Sequence, residues 1–171
     1  ASIIMNKIYH NTYLSNTSVI KIGVFIICIL FTGTIFAQNV TVTATAGSVL
    51  RNYNTVKAAF DAINDGTHQG VIEVKINANT TEGTTPAVLN SKEADPASYI
   101  SVNIYPTADG ISITGNPVAG FGVIELNGAD NVTINGDNPN TGGINRNLTV
   151  NNNGAAINLG NSCIRIATSG A

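Results

Sequence analysis

The chain reads as an all-β protein, a solenoid of stacked coils with one short helix near its start. Three observations lead there. Only 11% of its 171 residues are charged, while Asn, Thr, Gly, Ile and Val abound, a bias towards strands and turns. Short runs of alternating apolar and polar residues recur, bounded mostly by Gly, Asn, Asp or Pro. Like residues also fall into columns: Val102, Ile124 and Leu148 form one, Ile113, Ile134 and Ile157 another, both with a period of 20–25 residues.

The first segment is a leader. Ile22 to Ala37, IGVFIICILFTGTIFA, carries no charge, follows Lys7 and Lys21, and ends on a small residue. It is shorter than the ~20 apolar residues of a membrane-spanning helix. Positive flank, apolar stretch and small exit residue together predict a secretory signal peptide over 1–37, cleaved before Gln38. Cys28 lies in mid-stretch, away from a lipoprotein cleavage point. Without the leader only Cys163 remains, so no internal disulfide forms, and it is expected as a small core residue.

The body opens with Val40–Ala46, an alternating strand. A helix follows, because Val56, Ala59, Phe60 and Ile63 make one apolar stripe at i, i+3, i+4 and i+7. Asn54 or Thr55 is placed to cap its start, and Gly66 suits the turn beyond its end. Further strands are expected at VIEVKIN, YISVNIY, ISIT, GVIELNG, NVTING, NLTVNNN, AINLG and CIRIAT. Alternation puts Ile134 inside and Thr133 outside. A Greek-key sandwich is the alternative, since Asn127-Gly128 and Asn135-Gly136 suit hairpin turns.

The run YNTVKAAFDAIN, GVIEVKIN, SVNIYPTADGISITG, GVIELNGADNVTING and NLTVNNN resembles the N-terminal part of pectin-lyase-like proteins, notably large secreted and surface proteins of Bacteroidetes-type bacteria. The resemblance implies a right-handed parallel β-helix over 71–171. Residues 38–70 would supply a first strand and a helix capping its open end. It also implies further coils beyond Ala171, making this chain a piece of a longer protein.

Chemistry is sparse. The net charge is −2 and no basic run occurs, which argues against nucleic acid as a partner. Glu125, Asp130 and Asp137 lie near one another in sequence and are the calcium candidates; as turn or solvent-facing residues they need no ligand. Lys75, Arg146 and Arg165 would be the candidate bases if the lyase chemistry of the resembled family operated, but Lys75 and Arg165 are expected on a solvated face. His68 reads as a solvated loop residue. Asn151-Asn152-Asn153 suggests stacked amides in a turn. Few aromatics, Tyr53, Phe60, Tyr99, Tyr105 and Phe121, are available as sugar platforms outside the leader.

No catalytic, cofactor or dedicated metal residue is therefore assigned. The function expected is a non-catalytic scaffold of a secreted or surface protein, serving adhesion or extracellular interaction. Its partner would be a polysaccharide or another surface protein, with no membrane contact after leader removal. The alternative is the N-terminal part of a polysaccharide lyase or glycoside hydrolase with its active site beyond residue 171.

Overall fold

Alternating apolar residues need a buried face, and three sheets supply it. The structure, a computed structural model, describes residues 38–154 and 160–167. The predicted leader and Ile157 lie outside the described residues. Strands run in the order β1 (Val40–Gly47), β2 (Leu50–Tyr53), then helix α1 (Val56–Asn64), then β3 (His68–Ile76), β4 (Thr80–Thr81) and β5 (Ala87–Asn90). They continue with β6 (Tyr99–Pro106), β7 (Ile111–Gly115), β8 (Gly122–Asn127), β9 (Val132–Ile134), β10 (Leu148–Asn152) and β11 (Ser162–Ala167).

The first sheet has five strands in the order β2-β1-β3-β6-β9; two three-stranded sheets have the orders β10-β7-β4 and β11-β8-β5. Pairing is antiparallel between β1 and both β2 and β3, and parallel everywhere else. Val40, Val42, Ile72, Val74, Ile76, Val102 and Ile104 fill the inner face of the first sheet, and Leu89, Ile113 and Ile124 reach the same core from the other two. Each such side chain stabilises the fold by roughly 1.5–3 kcal/mol.

This arrangement corrects the expected right-handed parallel β-helix. The strands form three separate sheets of five, three and three strands; none closes, and the largest is mixed because β1 and β2 run antiparallel. The expected columns are corrected with it. Val102 pairs with Ile72 and Val132, Ile124 with Ala87 and Ile164, and Leu148 with Ile111, so those three residues belong to three different sheets. Ile113 likewise pairs with Val150 and Thr80, whereas Ile134 pairs with Ile104. Alternation tells which side chains face inward, but not which strand lies next door. Loops of unequal length make chance spacings between strands of different sheets.

The helix runs over the expected residues, Val56–Asn64, with Val56, Ala59, Phe60, Ala62 and Ile63 buried. Thr55 caps it, its side chain accepting from the Ala58 N–H at 3.1 Å. Gly66, at φ 77, turns the chain away and donates its N–H to the Ile63 carbonyl. A second cap comes from outside the local sequence. Glu82 is buried beside β4, and its two carboxylate oxygens accept from the Val56 and Lys57 N–H groups at 3.0 and 2.8 Å. A carboxylate there satisfies free amides and meets the positive end of the helix dipole. At the other end Asn64 bridges to β5, donating to the Val88 carbonyl and accepting from the Asn90 N–H.

Candidate functional site

The outer face of the five-stranded sheet carries the densest polar arrangement. Strand alternation turns Thr41 and Thr43 of β1, Glu73 and Lys75 of β3, and Asn103 and Tyr105 of β6 to that side, opposite the buried residues between them. Parallel register sets Glu73 beside Asn103 and Lys75 beside Tyr105; antiparallel register sets Thr43 beside Glu73.

Three groups converge on one oxygen. Glu73 Oε2 accepts from Thr43 Oγ1 at 3.2 Å and from the Tyr105 hydroxyl at 3.2 Å, and lies 3.0 Å from Lys75 Nζ. Among the described residues Glu73 Oε1 meets no donor. The Lys75 contact, above all, holds the Glu73 carboxyl below its usual range, and the same contact raises Lys75. Burial first, then the Glu73 charge, raises Tyr105. Near neutral pH the trio is therefore carboxylate, ammonium and intact phenol.

Glu73 also separates two shallow depressions. One, of about 230 Å³, is lined by Thr43, Ala44, Thr45, Val71 and Glu73. The other, of about 220 Å³, is lined by Glu73, Asn103, Tyr105, Asn135 and Pro139. A line of hydroxyls and amides continues beside them. Asn77 Nδ2 donates to Thr41 Oγ1, Thr41 Oγ1 to Asn52 Oδ1, and Thr107 Oγ1 to Asn77 Oδ1.

The residues singled out from sequence lie elsewhere, with the exception of Lys75 and of Tyr105, one of the few aromatics. Glu125 and Arg165 are direct partners across β8 and β11. Their side chains form a two-point ion pair, Nε to Oε1 at 2.8 Å and Nη2 to Oε2 at 2.5 Å. The Gly122 N–H also donates to Glu125 Oε1. Glu125 is only 3% exposed, which corrects the solvent-facing placement; the Arg165 guanidinium covers it and lies 5.0 Å from the Phe121 ring centre. The salt bridge to Glu125 raises the Arg165 pKa. Asp130 is exposed, 4.0 Å from Lys92 Nζ, and Asp137 Oδ1 accepts from the Asn145 N–H at 2.8 Å. The three calcium candidates thus have separate partners. Among the described residues no three His, Cys, Asp or Glu side chains converge on a point that could hold a metal. Arg146 is exposed.

Three further expectations are corrected. His68 is fully buried at the start of β3, not in a solvated loop. Its Nδ1 lies 2.6 Å from the Ser48 carbonyl and its Nε2 lies 2.8 Å from the Tyr53 hydroxyl. A carbonyl only accepts, so Nδ1 carries the hydrogen and Nε2 accepts from Tyr53. Cys163 is exposed rather than in the core. Asn151 and Asn152 bond to Asn153 and to the Ser162 carbonyl instead of stacking. The amide pair that spans strands is Asn127 Nδ2 donating to Asn90 Oδ1 at 3.0 Å.

Sequence reasoning missed Glu73, Tyr105 and Glu82 as partners. Glu73-x-Lys75 within VIEVKIN was the available signal, because residues two apart share one strand face. Tyr105 required the β3–β6 register, and Glu82 a contact across 26 residues. Among the described residues no helix is long and apolar enough to cross a membrane. Set against protein-family models, curated proteins and solved structures, the chain matches none.

Proposed function

We propose that this chain is a non-catalytic binding module of an exported protein, and that it holds an extracellular partner on the outer face of its five-stranded sheet. The carrying observation is the Glu73–Lys75–Tyr105 trio. A general acid or base works best with a pKa near the working pH. Here mutual pairing moves Glu73 down and Lys75 up, away from neutrality, so the trio is suited to hydrogen bonding rather than proton transfer. The ion pair cancels its own charge, and the surrounding Thr, Asn and Tyr side chains offer neutral donors and acceptors. Such a face fits a polyhydroxylated partner, a polysaccharide chain, which recognises directional hydrogen bonds and one aromatic edge. The export leader read from the sequence supports an extracellular setting.

Affinity electrophoresis and calorimetry of the purified protein against a panel of soluble neutral and acidic polysaccharides test this reading. Binding to a neutral polysaccharide is expected, weakened at least about tenfold by Tyr105→Ala and by Glu73→Gln, a loss of about 1.4 kcal/mol. Release of shortened or unsaturated products, abolished by Glu73→Gln, would replace the module with an enzyme. Retained binding in both variants would move the site off this face.

A further inference from the structure

Three Asn-Gly pairs occur among the described residues, and the fold treats two of them, Asn127-Gly128 and Asn135-Gly136, oppositely; at the third, Asn153-Gly154, the Gly154 N–H is held by Asn152 Oδ1 at 2.8 Å. Asn-Gly is the dipeptide in which a backbone nitrogen most readily reaches the preceding side-chain carbonyl, because glycine puts no Cβ in the way. Asn127 ends β8, between Asn90 and Ala167 in register. Its Nδ2 donates to Asn90 Oδ1, and the Gly128 N–H donates to the Ala167 carbonyl at 2.7 Å. Both the attacking nitrogen and the leaving amide are thereby held.

Asn135 and Gly136 lie just past β9, and both are exposed. Space around Gly136 is open: a Cβ there would meet nothing within 4 Å. Asn135 Oδ1 accepts from the Asp137 N–H at 3.0 Å. That contact polarises the side-chain carbonyl and faces the oxyanion that forms when a nucleophile adds to Cγ.

We propose that Asn135-Gly136 is a site of spontaneous deamidation that changes the charge of the depression beside Glu73. The Gly136 nitrogen, giving its proton to solvent base, bonds to Asn135 Cγ. The Cγ–Nδ2 bond then breaks, and Nδ2 takes up a proton and leaves as ammonia. The resulting five-membered imide is opened by water at either carbonyl, giving an aspartyl or an isoaspartyl residue at position 135. The net change is amide plus water to carboxylic acid plus ammonia, with no redox partner.

Two consequences follow from position. Asn135 lines the same depression as Glu73, Asn103 and Tyr105, so its conversion adds a second carboxylate there. The isoaspartyl form also lengthens the backbone directly before Gly136, whose carbonyl accepts from the Asn147 and Leu148 N–H groups at 2.8 and 3.1 Å where β10 begins. The chemistry itself is independent of what the sheet face binds.

Incubation of the purified protein at mildly alkaline pH, followed by peptide mapping with mass spectrometry, tests the site. The peptide holding Asn135 should convert several-fold faster than the one holding Asn127, with isoaspartyl product. In denaturant the two should convert at similar rates. Gly136→Ala should stop conversion at Asn135 without loss of folding, since the position is open and its φ is not positive. Asn135→Gln gives a second blocked variant should the first fail to fold. Equal rates at the two sites in the folded protein, or faster conversion at Asn127, would overturn the proposal.

Discussion

His68 shows how much one side chain's surroundings decide. Its ring sits between the Ser48 carbonyl and the Tyr53 hydroxyl, fully buried in its neutral form. Burial, above all, lowers its pKa below the ordinary 6.5; the Ser48 hydrogen bond opposes this, Arg51 adds to it and Asp65 offsets it. In the unfolded chain the ring binds a proton as pH falls through about 6.5, while the folded protein resists until a lower pH. His68 thus contributes stability that is whole above that value and declines below it. The melting temperature should fall between pH 7 and pH 5. His68→Gln should lower stability at pH 7 by about 1–3 kcal/mol, through a disturbed buried hydrogen-bond pair, and flatten the slope between those pH values. An unchanged slope would assign the acid sensitivity in that window to groups other than His68; Glu73, whose carboxyl is held down, loses its stabilisation only at lower pH, below its ordinary value of 4.5. The Glu125–Arg165 pair makes a second residue-scale case. Arg165→Leu leaves a buried carboxylate without its cation, so it should lower the melting temperature more than Glu125→Gln, which leaves no buried charge.

At the scale of the element, the helix is the clearest test of local sequence. Its stripe buries Phe60 completely, so Phe60→Ala should cost about 3–5 kcal/mol in chemical denaturation. Helix α1 was legible because stripe, Thr55 cap and Gly66 turn all sit within a dozen residues and agree. The longer strands were legible for a similar reason: VIEVKIN and YISVNIY alternate over enough residues to declare an inner face. β2, β4 and β5 were not legible, because LRNY, TT and AVLN are too short to show a period. Glu82 escaped for a different reason. It looks like a turn residue, yet it caps the helix from 26 residues away, and only the folded chain brings them together. Lys75 was noticed but placed on a plain solvated face, since its partners Glu73 and Tyr105 are set by its own strand face and by β6 respectively.

The whole molecule adds what neither residues nor elements contain, the assignment of strands to sheets. A spacing of about 20–25 residues linked Val102, Ile124 and Leu148 on paper, whereas the partners across β3, β6 and β9 are Val74, Ile104 and Ile134, each 30 residues apart. The other two sheets take longer steps, such as the 37 residues from Ile113 to Val150 in one and the 40 from Glu125 to Arg165 in the other. Insertions such as the loop at 136–146 displace one sheet's register relative to another, so no single period describes the chain.

That uneven build creates a gradient of burial across the first sheet. β6 lies between β3 and β9, and Ile104 is fully buried; Ile134 on β9 is only half-buried, paired through a three-residue strand at the sheet's margin. Ile104→Asp should therefore prevent stable folding, because a carboxylate placed there has neither water nor a partner. Ile134→Asp should be milder but still cost more than Thr133→Asp, whose side chain is exposed. Amide hydrogen exchange should follow the same order, slowest in β3 and β6 and fastest in β9, since opening an edge strand breaks one ladder and exposes little core. Equal protection in β6 and β9, or equal damage from the aspartates at 104 and 134, would mean that the sheet opens as one cooperative unit rather than from its margin.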